Sequence, residues 1–75
     1  MNLLEAAEGI KYTVVGIDLD DSELTEFLFS LGCYEGETVT VISRLRNGCI
    51  VAIKDGRYTV DKALASAISV REDTH

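Results

Sequence analysis

ETVTVISRLRNGCIVAIKDGRYTV, residues 37–60, decides the fold. In its first part Val39, Val41 and Leu45 alternate with polar residues, Ile42 excepted, which is the period of a strand with one buried face. Asn47-Gly48 follows, a dipeptide that tolerates positive φ at both positions of a tight turn and so predicts a hairpin into Cys49-Ile50-Val51-Ala52-Ile53-Lys54. Asp55-Gly56 repeats the signal ahead of Arg57-Tyr58-Thr59-Val60. The stretch therefore predicts a three-stranded antiparallel meander.

Upstream the period changes. Leu24, Phe27, Leu28 and Leu31 are spaced i, i+3, i+4, i+7, which aligns them on one helical face. Asp20 with Glu23 three residues on resembles a capping box, and Gly32 supplies the left-handed stop that other residues adopt only at a cost. A helix over residues 21–31 is expected. Before it, Lys11-Tyr12-Thr13-Val14-Val15-Gly16-Ile17 is rich in β-branched and aromatic residues and reads as a strand. After the meander come a helical turn over residues 61–66, a closing strand Ala67-Ile68-Ser69-Val70, and residues 71–75 as a frayed tail. The chain is thus mainly β, with five short strands and one α-helix between the first two. Closure into a small SH3-like barrel would remove the exposed edges of so short a sheet. Its expected core is Val14, Ile17, Leu24, Leu28, Leu31, Val39, Val41, Val51, Ile53, Val60 and Ile68.

Seventy-five residues leave room for one core and no second domain. With 47% apolar and 27% charged residues the composition is that of a globular protein rather than a disordered or fibrous one. No proline, repeat or low-complexity stretch marks a linker, so residues 1–75 are treated as one unit. The net charge of -6 repels a phosphate backbone, so nucleic acid is not an expected partner. Met1-Asn2-Leu3-Leu4-Glu5 lacks the basic and apolar regions of a secretory signal, and no apolar run approaches the roughly 20 residues of a membrane span. The expectation is a cytoplasmic protein with free thiols at Cys33 and Cys49 and no direct insertion into a membrane.

Catalysis finds no machinery. The lone histidine, His75, is the last residue, and no triad can be built from it. Two cysteines without a C-x-x-C spacing do not complete a four-ligand zinc site, and core packing explains them. Asp18, Asp20, Asp21 and Glu23 form the densest acidic run but lack the Ca²⁺-loop spacing, and most lie where a helix start favours negative charge. Gly9, Gly16 and Gly32 form no phosphate-binding pattern. No enzyme activity, metal site or cofactor is expected.

What remains is surface. At 100° per residue Phe29 points about 140° away from Leu24. Either another strand or the N-terminal arm around Leu3 and Leu4 covers it, or it contacts another protein. Tyr34, in the turn after Gly32, offers an apolar ring with a polar tip in the same region.

The stretch Leu28-Phe29-Ser30-Leu31-Gly32-Cys33-Tyr34-Glu35-Gly36-Glu37-Thr38-Val39-Thr40-Val41 resembles the FeoA family, small cytoplasmic partners of the bacterial ferrous iron transporter FeoB. The family pattern of two apolar residues, Leu-Gly, an apolar residue, Pro-Gly and Val-x-Val is matched by Leu28-Phe29, Leu31-Gly32, Cys33, Gly36, Val39 and Val41. Val14-Val15-Gly16-Ile17 upstream, and Val51-Ala52-Ile53, residues 58–60 and Ala67-Ile68-Ser69-Val70 downstream, follow in the family's order. Glu35 replaces the usual proline, Arg46-Asn47-Gly48-Cys49 replaces a common Gly-Asp-Pro turn, and Phe27 stands where the family has a polar or basic residue. The resemblance implies an SH3-like barrel and a role in ferrous iron uptake through the cytoplasmic domain of FeoB, supporting or regulating its GTPase-linked transport. A similar barrel also forms the C-terminal domain of DtxR-type repressors, but the DNA-binding helices of those proteins are not seen here.

Phe27, Phe29 and Tyr34 are accordingly the expected partner-binding anchors. Periodicity points to Phe29 as outward and the resemblance to Phe27, and a helix that keeps its core stripe is expected not to expose both fully. Two other readings fit the residues: a stand-alone SH3-like interaction module of another system, or a small metal carrier using Cys33, Cys49 and nearby acids. The chain offers no closed set of soft ligands, so folding should need no metal. Melting curves with and without excess chelator are expected to coincide, and a chelator-induced drop in Tm would favour the carrier.

Overall fold

Both hairpins form, each closed one residue earlier than its glycine suggests. The computed structural model describes residues 1–73 and contains β1 (Lys11–Ile17), α1 (Ser22–Leu31), β2 (Thr38–Leu45), β3 (Gly48–Ile53), β4 (Gly56–Asp61), α2 (Lys62–Ala67) and β5 (Ile68–Glu72). Leu45 pairs with Gly48 and Ile53 with Gly56, so the two-residue turns are Arg46-Asn47 and Lys54-Asp55. Lys54, not a glycine, takes the left-handed conformation at φ 53. Gly48 lies inside the strand for a steric reason: a Cβ there would collide with the carbonyl oxygen of Val60. Its lack of a side chain serves the close approach of β4 as well as its own positive φ of 157.

All pairings between the five strands are antiparallel, in the order β4-β3-β2-β1-β5. The expected barrel is therefore open along its hydrogen-bond ladder, since β4 and β5 are the two edges. α2, which joins them in sequence, packs against β3, β4 and β5 and takes the place of the missing ladder. Asp61 caps it by accepting from Leu64 N–H at 2.8 Å, and Ala65 is buried beneath it. The other edge is covered by the N-terminal segment: Asn2 bridges Ser69, Leu3 N–H reaches the carbonyls of Ala65 and Ile68, and Val70 N–H reaches Met1 O at 2.8 Å. Covering an edge this way satisfies its backbone groups without closure.

Leu3 is consequently a core residue, and of the alternatives for Phe29 neither the N-terminal arm nor another strand covers it, since it remains 63% exposed. The segment is held further along by Glu8, whose carboxylate accepts from Arg44 N–H at 2.7 Å, by the Arg44 guanidinium donating to Ala6 O, and by Tyr12 Oη accepting from Ala7 N–H at 2.9 Å. The tail expected to fray from residue 71 is partly ordered: Arg71 and Glu72 pair with Thr13 and Tyr12, and Asp73 N–H reaches Lys11 O. His75 lies outside the described residues.

Irregular β pairing explains two exposed aliphatic side chains of the sheet. Register shifts at Val14/Gly16 and Val41/Ser43 place Val15 and Ile42 in β-bulges, and both side chains are exposed. This is why Ile42 breaks the alternation of β2. The core holds Val14, Leu28, Val39, Val41, Val51, Ile53, Val60 and Ile68 as expected, with Ile17 packed partly against it. Leu24 is instead 40% exposed and Leu31 half-buried. Leu3, Ala6, Tyr12, Cys33, Cys49, Ala65 and Val70 complete the core in their stead, so α1 buries only Leu28.

Leu28→Ala should therefore cost about 2–5 kcal/mol in urea unfolding, and Leu24→Ala less than about 1 kcal/mol. A loss at Leu28 below about 0.5 kcal/mol would show that α1 is attached by some other contact.

Candidate partner-docking site

The site is built by the way α1 ends. Asp21, one residue later than the expected Asp20, is its N-cap: with extended backbone at φ -94 and ψ 109, its Oδ1 accepts from Glu23 N–H at 2.9 Å and Leu24 N–H at 3.3 Å. Asp20 lies one residue too early to reach the free amides of a helix that starts at Ser22. At the other end Gly32 is left-handed at φ 94, donating to Phe29 O at 3.0 Å, while Cys33 N–H reaches Leu28 O at 2.9 Å. This is the Schellman arrangement, and its accompanying apolar contact falls on the two buried side chains Leu28 and Cys33. With Cys33 turned into the core, Tyr34 emerges beside the last helical turn and stacks on Phe29, ring centroids 4.7 Å apart at 29°.

Lys54 joins the same cluster from the β3–β4 turn. Its Nζ lies 5.9 Å from the Tyr34 ring centroid and 3.2 Å from Glu37 Oε2. Its stem crosses Gly32 so closely that a Cβ there would come within 2.7 Å of Lys54 Cε. Gly32 is thus required both for its positive φ and for this crossing. The hydrogen bond to Glu37, aided by that residue's charge, pushes the Lys54 ammonium above its ordinary range. α1 has no basic residue in its last turn, and Lys54 brings a cation to that end of the helix from across the sequence.

Phe29 is 63% exposed and Phe27 51%, so the helix exposes both in part, which it can do because the core stripe assumed from the sequence is not kept. With Leu28 the one buried helical residue, each phenylalanine stands 100° to one side of it and neither is forced inward. Phe29 and Tyr34 are brought together, whereas Phe27 lies on the opposite flank. Asp18, Asp20, Asp21, Glu23 and Glu26, along and ahead of the helix, are all exposed. Lys54 and Glu37 were not anticipated, because nothing in the sequence spacing sets residue 54 over residue 34.

Residues 1–72 match the FeoA domain family. The chain belongs to the FeoA family. No curated protein matches it significantly. Among solved structures it is similar to an iron uptake regulatory protein, FeoA, at 30% identity and TM-score 0.84, over 96% of each chain. FeoA of Stenotrophomonas maltophilia in complex with zinc, described as an SH3 domain protein and a candidate activating factor of bacterial ferrous iron transport, is 18% identical with TM-score 0.82, over 95% of this chain and 89% of that one. The manganese regulator SloR shares the fold at 15% identity and TM-score 0.80, over 97% of this chain and 34% of that one. The FeoA family is associated with ferrous iron transport and is not a known enzyme family.

Elsewhere in this FeoA domain, a hollow of about 510 Å³ lies at the β2–β3 turn, lined by residues 45–48 and 59–61 and by none of the three aromatic anchors. Among the described residues no helix is long and apolar enough to cross a membrane, and no group of three His, Cys, Asp or Glu side chains could hold a metal ion. Both cysteines are free and buried. Burial pushes the Cys33 thiol up to about 11, and that of Cys49 is also raised by burial, with the Arg44 charge acting against it. A thiol whose value rises on folding favours the fold fully below its unfolded value of 9.0, and that contribution is lost as pH climbs through about 11. Stability should fall across this window, and Cys33→Ala should flatten the fall. A Cys33→Ala curve with an unchanged slope would show that other groups cause it.

Proposed function

We propose that this chain is a non-enzymatic accessory protein of ferrous iron uptake that docks on the cytoplasmic domain of a FeoB-type transporter through Phe27, Phe29 and Tyr34. The observation that carries the reading is the pre-stacked Phe29–Tyr34 pair, with Phe29 exposed, at the end of α1, in a member of a family associated with ferrous iron transport. Exposed aromatic rings held in place before binding lose little entropy on contact, which is why hot spots are rich in them. The acidic side chains around them suit a basic patch on the partner, and such a pair associates more slowly as salt rises. The cytoplasm is the compartment in which this partner domain and two free thiols would coexist.

Single replacements of Phe27, Phe29 and Tyr34 by Ala test the proposal against the transporter's cytoplasmic domain, with circular dichroism as the control for folding. Phe29→Ala, which removes one exposed ring and one face of the stack, should weaken binding by about tenfold or more. If all three variants bind like the parent, the surface lies elsewhere.

A further inference from the structure

We propose that the solvent face of α1 selects arginine on its partner, each guanidinium stacking on a phenylalanine and bonding to a carboxylate one turn away. The inference rests on the docking surface above and adds the chemistry that the surface recognises. Phe27 and Phe29 flank buried Leu28, so the arc of helix facing away from the sheet runs from one ring to the other through Glu23, Ser30 and Glu26. Glu26 precedes Phe29 by three residues and Glu23 precedes Phe27 by four, which makes each carboxylate a surface neighbour of one ring. α1 therefore presents two units, each composed of an exposed ring and an exposed carboxylate.

The fold already contains one cation held by this combination. Lys54 lies over the Tyr34 ring and bonds to Glu37, both groups being supplied by the chain itself. The two units on α1 repeat the composition on an element that carries no Lys or Arg, in a chain of net charge -6. Their cation has to come from outside. Arginine fits better than lysine because a planar guanidinium can lie on a ring face while its edge donates two parallel hydrogen bonds to a carboxylate. An ammonium is a hydrated point charge that gives up water to do either. The partner segment would carry at least two arginines, one for each flank of the helix, and each stacked cation at an exposed ring should strengthen binding roughly two- to fivefold.

The probes are a short peptide with two arginines and the same peptide with lysines in their place, titrated into the intact protein by NMR. The arginine peptide should shift the amides of Glu23 and Glu26 and the ring protons of Phe27 and Phe29, and saturate at a severalfold lower concentration than the lysine peptide. Glu23→Gln combined with Glu26→Gln should abolish that preference. Equal response to both peptides, shifts confined to other parts of the fold, or no response to either would overturn the inference. The same double variant tested against the transporter's cytoplasmic domain separates the two proposals. Unchanged binding there would sink the arginine chemistry and leave the docking surface standing, whereas a parent protein that fails to bind that domain would sink the docking proposal and leave the peptides to decide the arginine chemistry.

Discussion

The left-handed turn at Gly32 is the constraint on which the candidate site depends. It ends α1 and reverses the chain within two residues, sending Cys33 inward against Leu28 and Tyr34 outward against Phe29. A residue with a side chain at position 32 would meet two obstacles at once, an unfavourable φ and the stem of Lys54. Losing that crossing would displace Lys54 from Tyr34 and Glu37 together, so one backbone conformation fixes an aromatic stack, an ion pair and the entry into β2. The surface is ordered from beneath, by a buried turn, rather than by contacts among its own exposed groups.

Five strands of five to eight residues enclose a core of mostly medium-sized side chains. Between β4 and β5 the chain runs a six-residue helix in place of a further ladder, and that helix contributes Ala65 to the core. The first residues complete the enclosure by pairing with β5 and burying Leu3 and Ala6. An SH3-like shape is thus reached without closure: α2 packs beside the β4 edge, and the N-terminal segment pairs with backbone groups of β5 that closure would otherwise have paired.

Much of this was legible because β1 to β4 obey simple rules. β-branched and aromatic enrichment located β1, alternation located β2, the turn dipeptides located β3 and β4, and the apolar spacing of residues 24–31 located the helix. The misreadings share a cause, which is that local patterns carry two meanings. Gly48 looks like a turn residue, yet its smallness is used for contact with Val60 across the hairpin. Leu24 and Leu31 continue an apolar stripe that the fold buries at Leu28 alone. Residues 1–10 show no strand or helix period, since they are held by the burial of Leu3 and Ala6 and by separate hydrogen bonds to Arg44, Tyr12 and β5. Phe27, Phe29 and Tyr34 could be named as surface candidates from the sequence, but their arrangement could not. The stack needs the Gly32 turn, and the exposure of both phenylalanines needs the knowledge that Leu28 anchors the helix alone.

That single anchor bears on how the surface would work. An element attached through one fully buried side chain and a crossing lysine contributes little apolar area to the cooperative core, and local opening free energies are lowest for such elements. A partner covering Phe27 and Phe29 would bury rings on both flanks of Leu28, supplying α1 with the apolar contacts it lacks in the free chain. Binding would then stabilise the helix by mass action, because the ordered helix is the form that presents both rings at once. On the proposed reading, recognition would fall on the helix, which buries one side chain, and not on the sheet, which supplies most of the core. If the proposed docking holds, the helix would influence a partner through the coupling between its own order and being bound, with no chemical step required.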